Sequence, residues 1–313
     1  MTAQIRPAGA DDAPAICAVI DAAYAAQVQK LYGNSRRGRW TAYAPARVQT
    51  SLDREAAGVR VGEWQGDVAG VCMSRSCGSL GWFHSLAVHP QHQRRGIGQA
   101  LVADAQAYLS ERGVRSIGLM TWPDAIDNIA FYLRLGFQPA GLSTFAYRQT
   151  IGPVIDGRAP LQARMLASLA GDEFDLALAA AARLSETALS GLNFSAWLRW
   201  LVGRKAGDVL LVWRHEQLVA LALAQPQTDW LDGRLLLISA EATAAETAWT
   251  VEYIRRWALN HRFGSFSFPV DLMSAGVVRF CRDYGLQPYG DSMLNFASGA
   301  WPPAGIFCLR FSG

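Results

Sequence analysis

The hexapeptide Gly136-Phe137-Gln138-Pro139-Ala140-Gly141 returns as Gly285-Leu286-Gln287-Pro288-Tyr289-Gly290, 149 residues later (285 − 136). Trp64 and Trp213 keep the same separation (213 − 64), and each leads through a polar turn into an apolar run, Val68 to Val71 and Leu218 to Leu221. A spacing shared by two matches, with the same order of segments around them, indicates one supersecondary architecture used twice. It predicts two halves, residues 1–150 and 161–313. The linker falls over residues 151–160, where Gly152, Pro153, Gly157 and Pro160 interrupt any periodicity. A chain of 313 residues, 51% of them hydrophobic, holds enough material for two ordinary cores. Gly9-Ala10-Asp11-Asp12 and Gly171-Asp172-Glu173 both open a helix at an offset of 162 (171 − 9). The first half therefore carries 13 more residues (162 − 149) before Trp64, around Lys30 to Pro45. Such a segment is either a binding loop or a neutral insertion, since long loops cost little stability and often carry function.

The first half reads as alternating elements. Asp11 and Asp12 are good N-caps, Pro14 suits a first turn, and Ile16, Val19, Ile20 and Tyr24 recur at helical spacing after a short strand at Ile5. A second helix is expected over Ala46 to Ala57. Strands follow at Val59 to Trp64, Val68 to Ser74 and Trp82 to Val88. Gly98 to Arg112 turns helical, with Leu101, Val102, Ala105 and Leu109 on one face and Gly113 as a stop. Val114 to Thr121 is a strand, Ile126 to Leu135 a helix closed by Gly136, and Gln138 to Gln149 extended. This is an α/β chain with a mixed sheet and helices packed on it, an α+β arrangement in each half.

Composition removes several classes. Cys17, Cys72, Cys77, Cys281 and Cys308 contain no C-x-x-C pair, which argues against a disulfide framework and a zinc site and leaves reduced core residues. A net charge of +3 is too small and diffuse for a nucleic-acid partner. The one local cluster, Arg36, Arg37 and Arg39, is either a solvated loop or a contact for phosphate or an acidic substrate. The apolar stretch Asp208 to Ala224 is broken by Arg214, His215 and Glu216, so no membrane span is expected. Met1 to Pro7 carries no secretory pattern, and a cytoplasmic protein is expected.

The chemistry concentrates in Phe83 to Leu101, where a strand ends, a glycine-bearing turn follows and a helix begins. A helix N-terminus presents unsatisfied N–H groups and the positive end of the macrodipole, and Gly96 and Gly98 remove side chains that would keep a phosphate away. Arg94 and Arg95 add charge. The segment reads as a pyrophosphate cradle. A dinucleotide fold is the weaker match, because a third glycine and an acidic residue after the next strand are missing.

Gln93-Arg94-Arg95-Gly96-Ile97-Gly98 resembles the Q/R-x-x-G-x-G/A motif of the GNAT superfamily of N-acetyltransferases, and Leu86-Ala87-Val88-His89-Pro90, Ile5-Arg6-Pro7-Ala8 and Phe131 to Phe137 extend the likeness over Ile5 to about Thr150. The resemblance implies two tandem GNAT-like acyl-CoA N-acyltransferase domains, the first binding acetyl-CoA. It implies a strand at Phe83 to Val88 that splays from its neighbour, with Leu86, Ala87 and Val88 pairing with the pantetheine arm. Gln93, Arg94, Arg95, Gly96, Ile97, Gly98 and Gln99 would hold the diphosphate. Tyr132, four residues before Gly136, stands where the family places a tyrosine beside the cofactor sulfur. A phenol with a reference pKa of about 10 suits a departing thiol near 8.5, by proton or hydrogen bond. Its alternative is an aromatic core residue. His84 stands where relatives carry a glutamate that takes the amine proton. Imidazole can do this, and strand alternation equally allows a buried structural histidine. A metal among His84, His89 and His92 is not expected, since no carboxylate or cysteine completes a ligand set. The family's asparagine is replaced by Ala125. Asn128, one helical turn later, is the remaining candidate for that cofactor contact, and the helix is expected to start with Asp127 or Asn128 as its cap.

The second half is expected to be silent. No glycine occurs between Gly233 and Gly264, Glu241 and Glu246 would repel phosphates, and Cys281 lies opposite Tyr132 (281 − 132 = 149). It would brace the first half or shape its acceptor cleft, and the closing segment Gly305 to Phe311 is expected as an ordinary terminal edge strand, with pairing across the domains as the alternative. These expectations combine into acetyl transfer from acetyl-CoA to a primary amine of a small molecule or peptide. Arg36, Arg37, Arg39, Trp40 and Tyr43 are candidates for the acceptor site, and the chain is expected to act as a monomer that is an internal pseudo-dimer. The rival is a non-catalytic acyl-CoA-binding sensor or scaffold, motivated by Ala125 and by the motif-poor second half.

Overall fold

The computed structural model describes residues 3–32, 45–150, 155, 160–227, 229–299 and 307–309. Arg36, Arg37, Arg39, Trp40 and Tyr43, and most of the expected linker, lie outside the described residues. The first half runs β1 (Gln4–Pro7), α1 (Ala13–Tyr32), α2 (Pro45–Glu55), β2 (Val59–Trp64), β3 (Asp67–Cys77), β4 (Leu80–Val88), α3 (Ile97–Ser110), β5 (Ser116–Thr121), α4 (Ile126–Arg134) and β6 (Gln138–Gln149). The second repeats that order: β7 (Gln162–Met165), α5 (Gly171–Ala188), α6 (Ser195–Gly203), β8 (Asp208–Arg214), β9 (Gln217–Pro226), β10 (Trp230–Ile238), α7 (Ala244–Asn260), β11 (Ser265–Asp271), α8 (Ala275–Asp283) and β12 (Gln287–Ser298). A last strand, β13 (Phe307–Leu309), has no counterpart among the described residues of the first half.

Two sequence expectations need correction. Helix α4 starts at Ile126 with Ala125 at the N-cap and no capping side chain, not at Asp127 or Asn128. Asp127 sits in the first turn, where its charge already complements the helix dipole. Strand β13 is not a terminal edge strand: it pairs antiparallel with β10. The opposite edge of β10 is already held by β9 from Leu231 to Ile238, so β13 takes the edge on which β11 also pairs.

The strands form one sheet in the order β1-β2-β3-β4-β5-β12-β6-β11-β10-β9-β8-β7, a palindrome of the two halves with their long final strands exchanged. β12 pairs with β5 (Leu294 opposite Thr121, Ser298 opposite Ile117), and β6 pairs with β11 (Ser143 opposite Asp271, Gln149 opposite Ser265). β6 and β12 then meet antiparallel at the centre, Gln287 opposite Tyr147 and Ala297 opposite Gln138. Each half thus finishes the other's sheet, the geometry of a two-fold dimer within one chain.

The cores follow from this exchange. Leu101, Val102, Ala105 and Leu109 of α3 are buried on the sheet, as their spacing predicts. Phe296 of β12 joins that first-half cluster. Cys77, Leu80 and Trp82 pack into a cluster made mostly of second-half residues, including Leu166, Leu184 and Trp197. The Ser79 hydroxyl donates to the Ser190 carbonyl at 2.7 Å, and Arg54 lies over the Trp197 ring at 5.0 Å, tying the halves a second time. Cys17, Cys72, Cys77 and Cys281 are buried free thiols, and burial pushes Cys72 up to about 12. Among the described residues no helix is long and apolar enough to cross a membrane.

Candidate active site

β4 pairs in parallel with β5 only from Leu80 to Phe83, while on its other edge it follows β3 as far as Val88. The β3 pairing skips His84, since Ser85 faces Met73 and Phe83 faces Ser74. One extra residue bends and twists the strand, so β4 leaves β5 just where the bulge sits. Among the described residues the edge beyond it is free of strand partners. The Leu86 carbonyl there accepts from the Tyr24 hydroxyl at 3.2 Å, and the Val88 carbonyl from the Gln93 side-chain amide at 3.0 Å. Backbone groups of successive strand residues point to opposite edges. Leu86 and Val88 therefore face the opening, and Ala87 turns its N–H and carbonyl to β3.

The turn after β4 builds a second wall. Arg94 adopts φ 60° and Gly96 φ 80°, two left-handed residues that curl successive N–H groups to one side. Arg94 holds a conformation that L residues occupy at a cost, which points to function at this turn. Gly96 is the N-cap of α3 and offers no capping side chain, and the first backbone bond there runs from Ala100 N–H to the Gly96 carbonyl. The N–H groups of Ile97, Gly98 and Gln99 thus reach the cleft uncapped. Between this turn, the open edge of β4 and the inner face of α4 lies a cleft of about 640 Å³. Leu86, Ala87, Val88, Gln93, Arg94, Gly96, Ile97, Gly98, Gln99, Asn128 and Tyr132 all line it. Arg95 does not. Its guanidinium lies 5.2 Å from the Trp64 ring centre and donates to the Gln91 carbonyl at 3.4 Å, so only its backbone belongs to the turn.

Tyr132 is brought in by α4, with 8% of its surface exposed. Phe137 and Phe296 flank its ring at 6.0 Å each. Burial pushes its phenol well above the usual tyrosine range, with the Tyr24 and Cys72 neighbours acting in the same direction. Among the described residues nothing hydrogen-bonds the Tyr132 hydroxyl, which leaves it available to the cleft. Behind Tyr132 a recess of about 50 Å³ is lined by His84, Thr121, Trp122 and Asn128. Asn128 donates its side-chain amide to Thr121 Oγ1 at 3.4 Å, so part of its capacity is spent inside the protein. The bulge thus puts His84 beside Tyr132 in one recess. Tyr24 and Trp122 line both spaces and meet edge to face at 5.7 Å. Sequence reasoning missed both: Tyr24 fell on the apolar stripe of α1, and Trp122 lay just outside the expected strand Val114 to Thr121 with no motif to mark it. Its place just past the carboxyl end of β5 was the available signal, because ligands collect outside those ends.

Residues 25–137 match the family described as Acetyltransferase (GNAT) family. Acetyltransferase SG1711 of Sodalis glossinidius (strain morsitans) is 31% identical over 91 residues, 29% of this chain, and the match spans 64% of that relative's length. A solved structure from Pyrococcus horikoshii superposes with a TM-score of 0.67 at 11% identity, covering 100% of this chain and 95% of that one. A tandem GNAT protein from the clavulanic acid biosynthesis pathway gives 0.55 at 16% identity, covering 96% and 99%. At such identities the structural likeness speaks for fold alone, and that fold is two tandem GNAT-like halves.

Proposed function

We propose that this protein transfers an acetyl group from acetyl-CoA to a primary amine of a small molecule or peptide, a reading supported by the match of residues 25–137 to the Acetyltransferase (GNAT) family. The observation that supports this most is the pairing, in one cleft, of an open strand edge at Leu86 and Val88 with an uncapped helix N-terminus at Gly96. A pantetheine arm carries amides that need alternating donors and acceptors, as a strand edge provides. A diphosphate needs convergent N–H groups, as the Arg94 to Gln99 turn provides. The cleft volume is that of a cofactor site.

Acetyl-CoA supplies an acyl group activated as a thioester. Leu86 and Val88 orient its arm, Ala87 keeps the floor apolar, and Gln93, Arg94, Gly96, Ile97, Gly98 and Gln99 hold the diphosphate, with Arg95 contributing backbone only. Asn128 lies within reach of the arm from α4. In the transfer the amine nitrogen bonds to the acyl carbon, the carbon–sulfur bond breaks, and the amine proton passes to His84. Tyr132 steadies the departing sulfur by donating a hydrogen bond. Its raised pKa makes full surrender of the proton to a thiolate near pKa ~8.5 uphill, so it stays protonated while doing so.

The test is calorimetry with CoA followed by CoA release across an amine panel. Binding together with amine-dependent release is expected. Binding without release for any amine, with Tyr132→Phe behaving as wild type, would overturn transfer in favour of an acyl-CoA sensor or scaffold.

A further inference from the structure

The second half keeps the shape of the cofactor site. β10 pairs in parallel with β11 only from Trp230 to Asp232, as β4 does with β5, and then parts from it. In the first half that parting leaves a backbone edge open to the cleft. In the second it is filled: Leu235, Leu236 and Leu237 pair antiparallel with Leu309, Cys308 and Phe307 of β13. The matching bulges, with Phe83 opposite Ser74 and Gly233 opposite Ala224, set β10 150 residues after β4, so Leu235, Leu236 and Leu237 correspond to Ser85, Leu86 and Ala87. The chain's own C-terminal strand therefore runs along the counterparts of Leu86 and Ala87, which line the cleft in the first half.

The phosphate end is filled as well. Helix α7, the counterpart of α3, is closed by a capping box in which the Glu246 carboxylate accepts from Thr243 N–H at 2.8 Å and the Thr243 hydroxyl accepts from Glu246 N–H at 3.2 Å. Arg214 pairs with the same carboxylate at 2.5 Å. Counted from the N-caps Gly96 and Thr243, Glu246 is the third helical residue, the counterpart of Gln99. A fixed anion of the protein thus sits on the helix end whose counterpart in α3 is left bare.

We infer that the second half has become a peptide-strand groove whose occupant is this chain's C-terminal strand, with β13 and Glu246 standing in for the extended arm and the anionic end of an acyl-CoA. The physical need is plain. A strand edge inside a protein must pair its N–H and carbonyl groups with something. The first half leaves that to a ligand, whereas the second answers it by strand addition from its own tail. The second half is closed by occupancy and not only by lost motifs. This inference rests on acyl-CoA binding in the first half as proposed above and is independent of the transfer step.

The experiment uses the full chain and a chain ending at Gly299, compared by amide hydrogen exchange and CoA calorimetry. Ser239 N–H donates to the Val219 carbonyl, so by alternation Leu235 and Leu237 turn their backbone groups to β9 and Leu236 turns its own to Cys308. Truncation is expected to speed exchange at the Leu236 amide at least tenfold, and a synthetic peptide of residues 304–313 added in trans is expected to restore protection. One CoA per chain is expected in both, because Glu246 remains. Should the truncated chain fail to fold, Cys308→Pro in the full chain removes the β13 N–H that faces the Leu236 carbonyl and breaks the pairing there, and it is expected to raise exchange at Leu236 selectively. Unchanged protection at Leu236 in a folded truncated chain or in the Cys308→Pro chain, failure of the peptide to restore protection, or two CoA bound by the intact chain, would each overturn the inference.

Discussion

Phe296, carried by the second half on β12, packs against Tyr132 of the first half with ring centres 6.0 Å apart and planes at 39°. Phe296 is fully buried, and it reaches this place because the two final strands are exchanged. The floor beneath the candidate donor is thus built by the half that lacks the motifs.

Phe296→Ala should cost about 3–5 kcal/mol, the usual range for emptying a buried phenylalanine site. Urea unfolding measures that loss. Turnover per folded molecule should fall as well, because the Tyr132 ring loses one of its supports, while Phe296→Leu should retain most of both.

Tyr132→Phe separates chemistry from packing. The hydroxyl has no partner among the described residues, so stability should change little. Removing a donor that acts only on the departing sulfur should lower kcat by about 10²- to 10⁴-fold and leave CoA affinity nearly unchanged. Since burial holds the phenol above its usual range, the wild-type rate should show no decline from tyrosine ionisation up to about pH 10. Initial rates of CoA release across that range check both statements.

Much of this architecture was legible because it is written locally. The bounds of β2 and β6, the buried face of α3 and the glycine turn all follow from periodicity and from residue types with one conformational use. The strand exchange was not legible. β6 and β12 begin with nearly the same sequence, Gly136-Phe137-Gln138-Pro139 and Gly285-Leu286-Gln287-Pro288, so either satisfies β5 and only the global sheet decides. The role of β13 was hidden for a related reason: a three-residue strand carries no record of which edge it fills. Arg95 was misjudged because charge in a phosphate turn says nothing of a neighbouring indole, here Trp64, that competes for the guanidinium.

The two glycines of the turn should behave differently. At Gly96 a Cβ would meet no atom within 4 Å, but φ is +80°, and an L residue there costs about 1–2 kcal/mol. At Gly98 a Cβ would lie 3.5 Å from Phe131, an ordinary contact, in a helical residue. Gly98→Ala should therefore fold as well as wild type and gain up to about 1 kcal/mol of helix propensity. Its methyl group would lie between the Phe131 and Val88 side chains in the wall of the cleft, so CoA affinity should drop about tenfold or more, equivalent to at least ~1.4 kcal/mol. Gly96→Ala should lose stability first. Thermal melts and calorimetry on the two variants distinguish the effects.

Acid should loosen the second half through Glu246. Hydrogen bonds from Arg214, then from the Thr243 backbone and hydroxyl, pull its carboxyl from 4.5 down to about 2, against the opposing effect of burial. Between those values the folded chain binds fewer protons than the unfolded one, so this contribution is complete above about pH 4.5 and is lost as pH falls toward 2. Asp12 and Glu252, whose pKa values are also lowered, add to the same acid limb. Comparison with Glu246→Gln isolates the one group, because glutamine retains a capping acceptor without the charge. The variant should unfold at lower urea than wild type at pH 7, and the gap should close as pH approaches 2. A gap of constant size across that window would show that the Arg214 pairing contributes nothing to stability.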